Sequence, residues 1–387
     1  MSLLRAKIAT AFYFLSGGGS LALWAVHIPL IQDKVGIDYA TLGLLLMVAG
    51  IGGFMAMQIA GWMVDHVGAR TTTMLGGITI ALSLLGPAFA NSPLTLGLAV
   101  FGIGFGLSAV DVPMNAAALQ VERANKRPIF TFFHLFWSLG GLLGAAIGFL
   151  TIGAGFTQDQ TLVVTCIFLG VMAILLSTWL LPNEPVASSH DKVANKASSK
   201  ANNRVLGFVI LAGLMSAAGA LIEGVAQDWS ALYLTDIQGV SVSLAAWGLA
   251  SFNIGMILGR IFIDRIVEKL GRGFVIRWGS LLAAMAILGQ AIVADFILSL
   301  VLWGILGLGI SGVVPQLFAA ASEIGEASHS GRNMAKVVGI TYAGGLAGPS
   351  IIGMLTNLFP LNIAIGWGVL LGLFVFFAYK KLEKLPK

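Results

Sequence analysis

Twelve times along the chain the sequence runs for about twenty residues with scarcely a charge, long enough as a helix to cross a bilayer core of roughly 30 Å. These runs lie near residues 8–30, 40–64, 72–91, 94–119, 129–153, 160–181, 205–233, 242–264, 274–294, 297–321, 334–357 and 361–380. Inside a membrane only helices and closed barrels satisfy all their backbone polar groups, and runs this long are helical. Of the 387 residues, 57% are hydrophobic and 10% charged, against roughly a quarter charged in soluble domains. The chain therefore reads as an all-α integral membrane protein with twelve transmembrane helices. Arg5 and Lys7 before the first run resemble the start of a secretory signal, but that run is too long for one and is read as a span.

The charges give the topology. With the N-terminus in the cytoplasm, alternating sides place all of the 22 Lys and Arg residues inside except Lys34, as the positive-inside rule requires. Both termini are then cytoplasmic, and the membrane is expected to be a bacterial inner membrane. The same distribution accounts for the net charge of +5 without a nucleic-acid partner.

One polar segment, PNEPVASSHDKVANKASSKANNR at 182–204, has no apolar periodicity and reads as a linker. Expected boundaries are a first six-helix bundle over 1–185, a cytoplasmic linker over 186–203 and a second bundle over 204–387. The halves echo each other. FGIGFGLSAVDVP (101–113) aligns with WGILGLGISGVVP (303–315), and WSLGGLLGAAIG (137–148) with TYAGGLAGPSII (341–352). This duplication predicts two pseudo-symmetric bundles with a solute site near the midplane between them.

Carboxylates within the spans are the chemical signal, because intramembrane acids are rare and mark ion or substrate pathways by default. Asp111 lies in the fourth span with Asn115 one turn on, and Pro113 removes a hydrogen bond to the Ala109 carbonyl. His134 enters the fifth span at similar depth, making a proton relay with Asp111 one reading and an interhelical bond the other. In LIEGVAQDWSALYL (221–234), Glu223 with Gln227 one turn on is expected to line a hydrated cavity. Asp228, Trp229 and Tyr233 are expected at the outer helix end and its aromatic belt. Trp24 and His27 are expected in that belt too. Asn253 and Tyr342 are further candidate hydrogen-bond donors to a solute, or to a neighbouring helix. The single Cys166 reads as a packing residue. No metal-ligand cluster, activated nucleophile or phosphate loop is recognisable, so an enzyme is not expected and no cofactor is implied.

The loop after the second span, GWMVDHVGART (61–71), has the spacing G-x-x-x-D-x-x-G-x-R through Gly61, Asp65, Gly68 and Arg70. Gly61 would let helices approach, Gly68 permits a tight reversal and Asp65 can cap a helix. This pattern resembles the signature loop of the major facilitator superfamily. GRIFIDRIVEKLGR (259–272), with Asp264 and Arg265, is a looser second copy. The resemblance implies that these residues form a cytoplasmic latch between the halves. Residues 107–145 and 221–234 further resemble the rhizopine-transporter-like branch and, more distantly, the fucose permease. The acid that the fucose permease carries on its first span is absent here, as is the fifth-span glycine-proline pattern of many drug–proton antiporters.

The function implied is a secondary active transporter that moves a small polar solute by alternating access, with a coupling proton and the lipid bilayer as partners, acting as a monomer. An exporter of amphipathic compounds and a non-transporting membrane sensor or assembly protein are the alternatives.

Overall fold

Caps and prolines set the helix boundaries. Asp38 accepts a hydrogen bond from the Thr41 N–H at 2.8 Å, Ser92 and Thr95 form a capping box before Pro93, Thr157 and Gln160 form another, and Asp295 accepts from Leu298 N. Each satisfies amide groups that a helix start leaves open. The Thr41 side chain first, and its N–H second, hold the Asp38 carboxyl below the usual carboxylate range, so this cap contributes near neutral pH and is lost as pH falls through that lowered value.

The computed structural model describes residues 2–126, 129–183, 203–293, 295–322, 330–345 and 348–382, so nearly all of the expected linker lies outside the described residues. Among the described residues twelve helices are long and apolar enough to cross a membrane: Leu3–Val35, Tyr39–Val67, Ala69–Phe89, Pro93–Asn125, Phe132–Gly153, Gln158–Ser177, Val205–Asp236, Val242–Leu270, Arg272–Ile292, Phe296–Ala321, Lys336–Leu355 and Leu361–Leu382. They are called spans 1 to 12. Several outrun the apolar windows; the 33 residues of span 1 extend for about 50 Å.

Two of the breaks have a proline a few residues on. Span 3 divides at Leu84 into Ala69–Ser83 and Leu85–Phe89, and Pro87 denies the Ser83 carbonyl its bond. Span 10 divides between Phe296–Ile310 and Val313–Ser322, and Pro315 does the same to Ser311. Pro113, the counterpart of Pro315 in the repeat, leaves span 4 continuous, and the freed Ala109 carbonyl lies against Gly76.

The chain forms two units, Met1–Asp191 with Val240–Ala250, and Lys192–Gly239 with Ser251–Lys387. Within the first, spans 2 and 4, 1 and 5, and 3 and 4 share the largest contacts; within the second, spans 7 and 11, 9 and 10, and 9 and 12 do. Glycine makes these approaches close. A Cβ on Gly52 would strike the Phe101 carbonyl and one on Gly104 the Ala49 carbonyl; one on Gly255 would strike Gly304 and one on Gly307 Phe252. Spans 1 and 5 meet likewise through Gly18, Gly140 and Gly144. With lipid as apolar as leucine, helices associate through such close packing and through polar pins.

Of the residues expected at the membrane belt, Tyr233 is such a polar pin. Trp24 is 2% exposed, and His27, Trp229 and Tyr233 are fully buried, because each faces its bundle and not the lipid. His27 Nδ1 donates to the Leu23 carbonyl at 2.7 Å. The Tyr233 hydroxyl donates to the Gln290 carbonyl at 2.6 Å, with a longer contact of 3.1 Å to Val293. Gln290 and Ser299 are in turn bonded reciprocally at 2.8 and 2.6 Å. Removing the hydroxyl takes its donor from the buried Gln290 carbonyl, while the Val293 carbonyl keeps Gln238 Nε2 at 2.8 Å, so Tyr233→Phe is expected to cost about 1–3 kcal/mol, read as a lowered midpoint of thermal unfolding in detergent; an unchanged midpoint would show that this knot carries no stability.

Candidate functional site

In the first unit the Asp111 carboxylate is half-buried on span 4. Asn115 Nδ2 donates to Asp111 Oδ1 at 3.1 Å and to the Asp111 carbonyl at 2.8 Å. Among the described residues Asn115 is the carboxylate's one hydrogen-bond partner, so no direct hydrogen bond joins Asp111 to His134. Instead the His134 ring stands edge-on to Phe14 and Phe130, with centroids 5.1 and 5.0 Å away. Its aromatic neighbours place it in the packing of spans 1 and 5.

The second unit repeats the acid–amide arrangement on span 7. Gln227 Nε2 donates to Glu223 Oε1 at 2.9 Å. Glu223, Gly224, Gln227 and Asp228 form a half-exposed stripe, while Ile222, Val225, Ala226 and Trp229 on the other side are buried. Asp228 is thus not a wetted helix end: span 7 continues eight residues beyond it, to Asp236. The aromatic signal that suggested an end belongs to the buried face.

Arg260 of span 8 faces Glu223 electrostatically. Arg260 is one of the basic residues expected on the cytoplasmic side, yet it sits ten residues before the end of the helix at Leu270; its place inside the apolar window 242–264 is the signal for this depth. Asn253, 9% exposed, lies two turns earlier on the same face of span 8. Tyr342 of span 11 is 45% exposed. Spans 7 and 8 therefore gather two acids, two amides and a guanidinium in one unit, a set able to bind and release a proton or to hydrogen-bond a polar solute.

The signature loop is held by a residue the motif does not contain. Gly68 adopts φ +94°, a conformation that favours glycine, and a Cβ there would run into the Asn183 side chain. Asn183 Oδ1 accepts from Arg70 N at 2.9 Å, and its Nδ2 donates to the Val67 carbonyl at 2.8 Å and to Thr71 Oγ1 at 3.3 Å. Asp65 is exposed in the last turn of span 2 and does not cap span 3, whose start has no side-chain cap. Gly61 has open space where a Cβ would project, so it mediates no close helix approach here. Across the repeat, Gly271 matches Gly68, with φ +82° and ψ 159° against +94° and 158°. That register pairs Asp65 with Glu268, three residues before its glycine, while Asp264 and Arg265 lie further back on span 8, both exposed.

The Major Facilitator Superfamily matches the chain over residues 9–226 and 205–387. An uncharacterised MFS-type transporter of Yersinia pestis is 32% identical over 367 residues, covering 94% of this chain and 92% of the relative. Among solved structures, a D-xylose-proton symporter superposes with a TM-score of 0.81 at 14% identity over 100% of this chain and 98% of its own. The nucleoside transporter NupG gives 0.73 at 16% identity over 100% of both chains.

Proposed function

The chain belongs to the Major Facilitator Superfamily, and from that premise we propose that it is a proton-coupled secondary transporter of a small polar solute, working by alternating access. The observation that carries this reading is the pair of half-buried intramembrane carboxylates, Asp111 and Glu223, each bonded to an amide one turn on. A carboxylate at membrane depth is costly unless it is wetted, paired or protonated, and the amide keeps each one oriented as an acceptor without neutralising it. Asp111 and Glu223 exchange the coupling proton; Asn115, Gln227, Asn253, His134 and Tyr342 provide hydrogen bonds to the solute. Asp65, Gly68 and Arg70, with Asp264 and Arg265, act as the cytoplasmic latch. The protein works as a monomer in a bacterial inner membrane with both termini in the cytoplasm, in line with the basic residues of its loops.

The test is a thermal-shift screen of purified protein against D-xylose and other sugars, polyols, nucleosides, amino acids and organic acids at several pH values. A ligand that binds the folded form raises the melting point by mass action, by about 2.7 kcal/mol of stability at a hundred times its dissociation constant. The expected result is a shift for a hydroxylated solute, stronger at acid pH, and counterflow of that solute in proteoliposomes. Shifts confined to amphipathic dyes would instead favour an exporter.

A further inference from the structure

We propose that Asn183 is a positioning residue of the transport cycle: it fastens the stretch that follows span 6 to the signature loop and thereby biases which side of the protein is open. This rests on the alternating-access reading above. One side chain makes three bonds to the loop, to Arg70 N, the Val67 carbonyl and Thr71 Oγ1, across 112 to 116 residues of sequence. All three groups lie in the reversal between spans 2 and 3. Its carboxamide also lies over Gly68, at the position a Cβ would take.

Helix ends leave amides and carbonyls open. Here the last carbonyl of span 2 and one amide in the first turn of span 3, that of Arg70, are satisfied by a residue of the stretch that follows span 6. The end of span 2 and the start of span 3 are thus tied to a stretch that lies six residues beyond Ser177, the last residue of span 6. Asn183 immediately precedes the segment 184–202 that connects the two bundles in sequence, so the joint lies where the connection begins. Arg70, whose amide it holds, is also within electrostatic reach of the Tyr13 phenol in span 1. An exposed residue whose loss merely loosened a loop would act only locally; one that biases a two-state element acts at a distance.

The experiment is hydrogen exchange by mass spectrometry on the full chain in lipid nanodiscs, with no ligand, comparing wild type, Asn183→Ala and Asn183→Asp. In Asn183→Ala, amides over 67–72 are expected to exchange about threefold to tenfold faster. Asn183→Asp, which keeps the acceptor for Arg70 N, is expected to retain the Arg70 amide's protection. The decisive reading is at the opposite membrane face, residues 27–37 and 153–161: a change there in Asn183→Ala, reversed in part by Asn183→Asp, supports the positioning role. Faster exchange confined to 67–72 would reduce Asn183 to a local brace and overturn the proposal, as would unchanged exchange everywhere. Wild type at pH 5.5 and 7.5 separates the two readings: reciprocal changes at the two faces without an Asn183 effect would sink this inference alone, and their absence would sink alternating access too.

Discussion

Reconstituted Asp111→Asn and Glu223→Gln proteins are expected to lose accumulation against a gradient while still exchanging solute downhill. One pH unit across the membrane is worth 1.36 kcal/mol per proton, so a one-proton cycle accumulates its solute up to about tenfold. Replacing either coupling acid by its amide brings that ratio to unity, since an amide neither takes nor releases a proton in this range. The exchanges are close to isosteric, and the Asn115 and Gln227 donors keep an acceptor oxygen in both variants.

The two variants differ in stability. Asp111 has no charged partner among the described residues, whereas Glu223 faces Arg260, so Glu223→Gln removes an opposite charge from the guanidinium's surroundings and is expected to lower the melting temperature more than Asp111→Asn does. The double variant Glu223→Gln with Arg260→Gln is expected to recover melting temperature without recovering accumulation. The measurement is the steady-state ratio of the solute found by thermal shift, D-xylose being the first probe, in proteoliposomes with an imposed pH gradient. Full accumulation in both single variants would remove these acids from the coupling mechanism.

What could be read in advance follows from what the bilayer dictates. Span number and approximate limits were legible because a membrane leaves the backbone little besides a helix, whereas proline did not foretell the breaks: Pro87 and Pro315 follow one, but Pro29 and Pro113 sit in unbroken helices. The acid–amide pairs were legible from spacing alone, since residues four apart on a helix must share a face. Depth along a helix is one coordinate, however, and burial needs a second: which way the residue points. The belt expectation for Trp24, His27, Trp229 and Tyr233 used the first without the second, and all four face inward. Gly61 and Gly68 look equivalent in the motif, yet only Gly68 needs a positive φ. Asn183 was invisible because its partners are more than 110 residues away and no local rule joins a loop to a helix end that distant.

Gly104→Leu and Gly307→Leu are each expected to prevent folding, and the two alanine variants to lose stability by about 1–3 kcal/mol. Gly52 and Gly104 join spans 2 and 4, and Gly255 and Gly307 join spans 8 and 10, each glycine against a backbone carbonyl of the facing helix. A side chain meeting a neighbouring side chain can turn aside; one meeting a backbone carbonyl forces the helices apart along their length, and in lipid close contact is the main attraction they have. Gly102, two residues from Gly104 on the same helix, and Gly339 in the second unit have open space at the Cβ position. Alanine there is expected to be neutral, or to stabilise by about 0.5–1 kcal/mol through helix propensity. Thermal unfolding in one detergent, with these two as controls, separates close packing from propensity. Because Gly104 meets the Ala49 carbonyl in one half as Gly307 meets the Phe252 carbonyl in the other, their alanine variants are expected to lose similar stability. A Gly104→Ala protein that melts with Gly102→Ala would show that spans 2 and 4 are held by something other than backbone proximity.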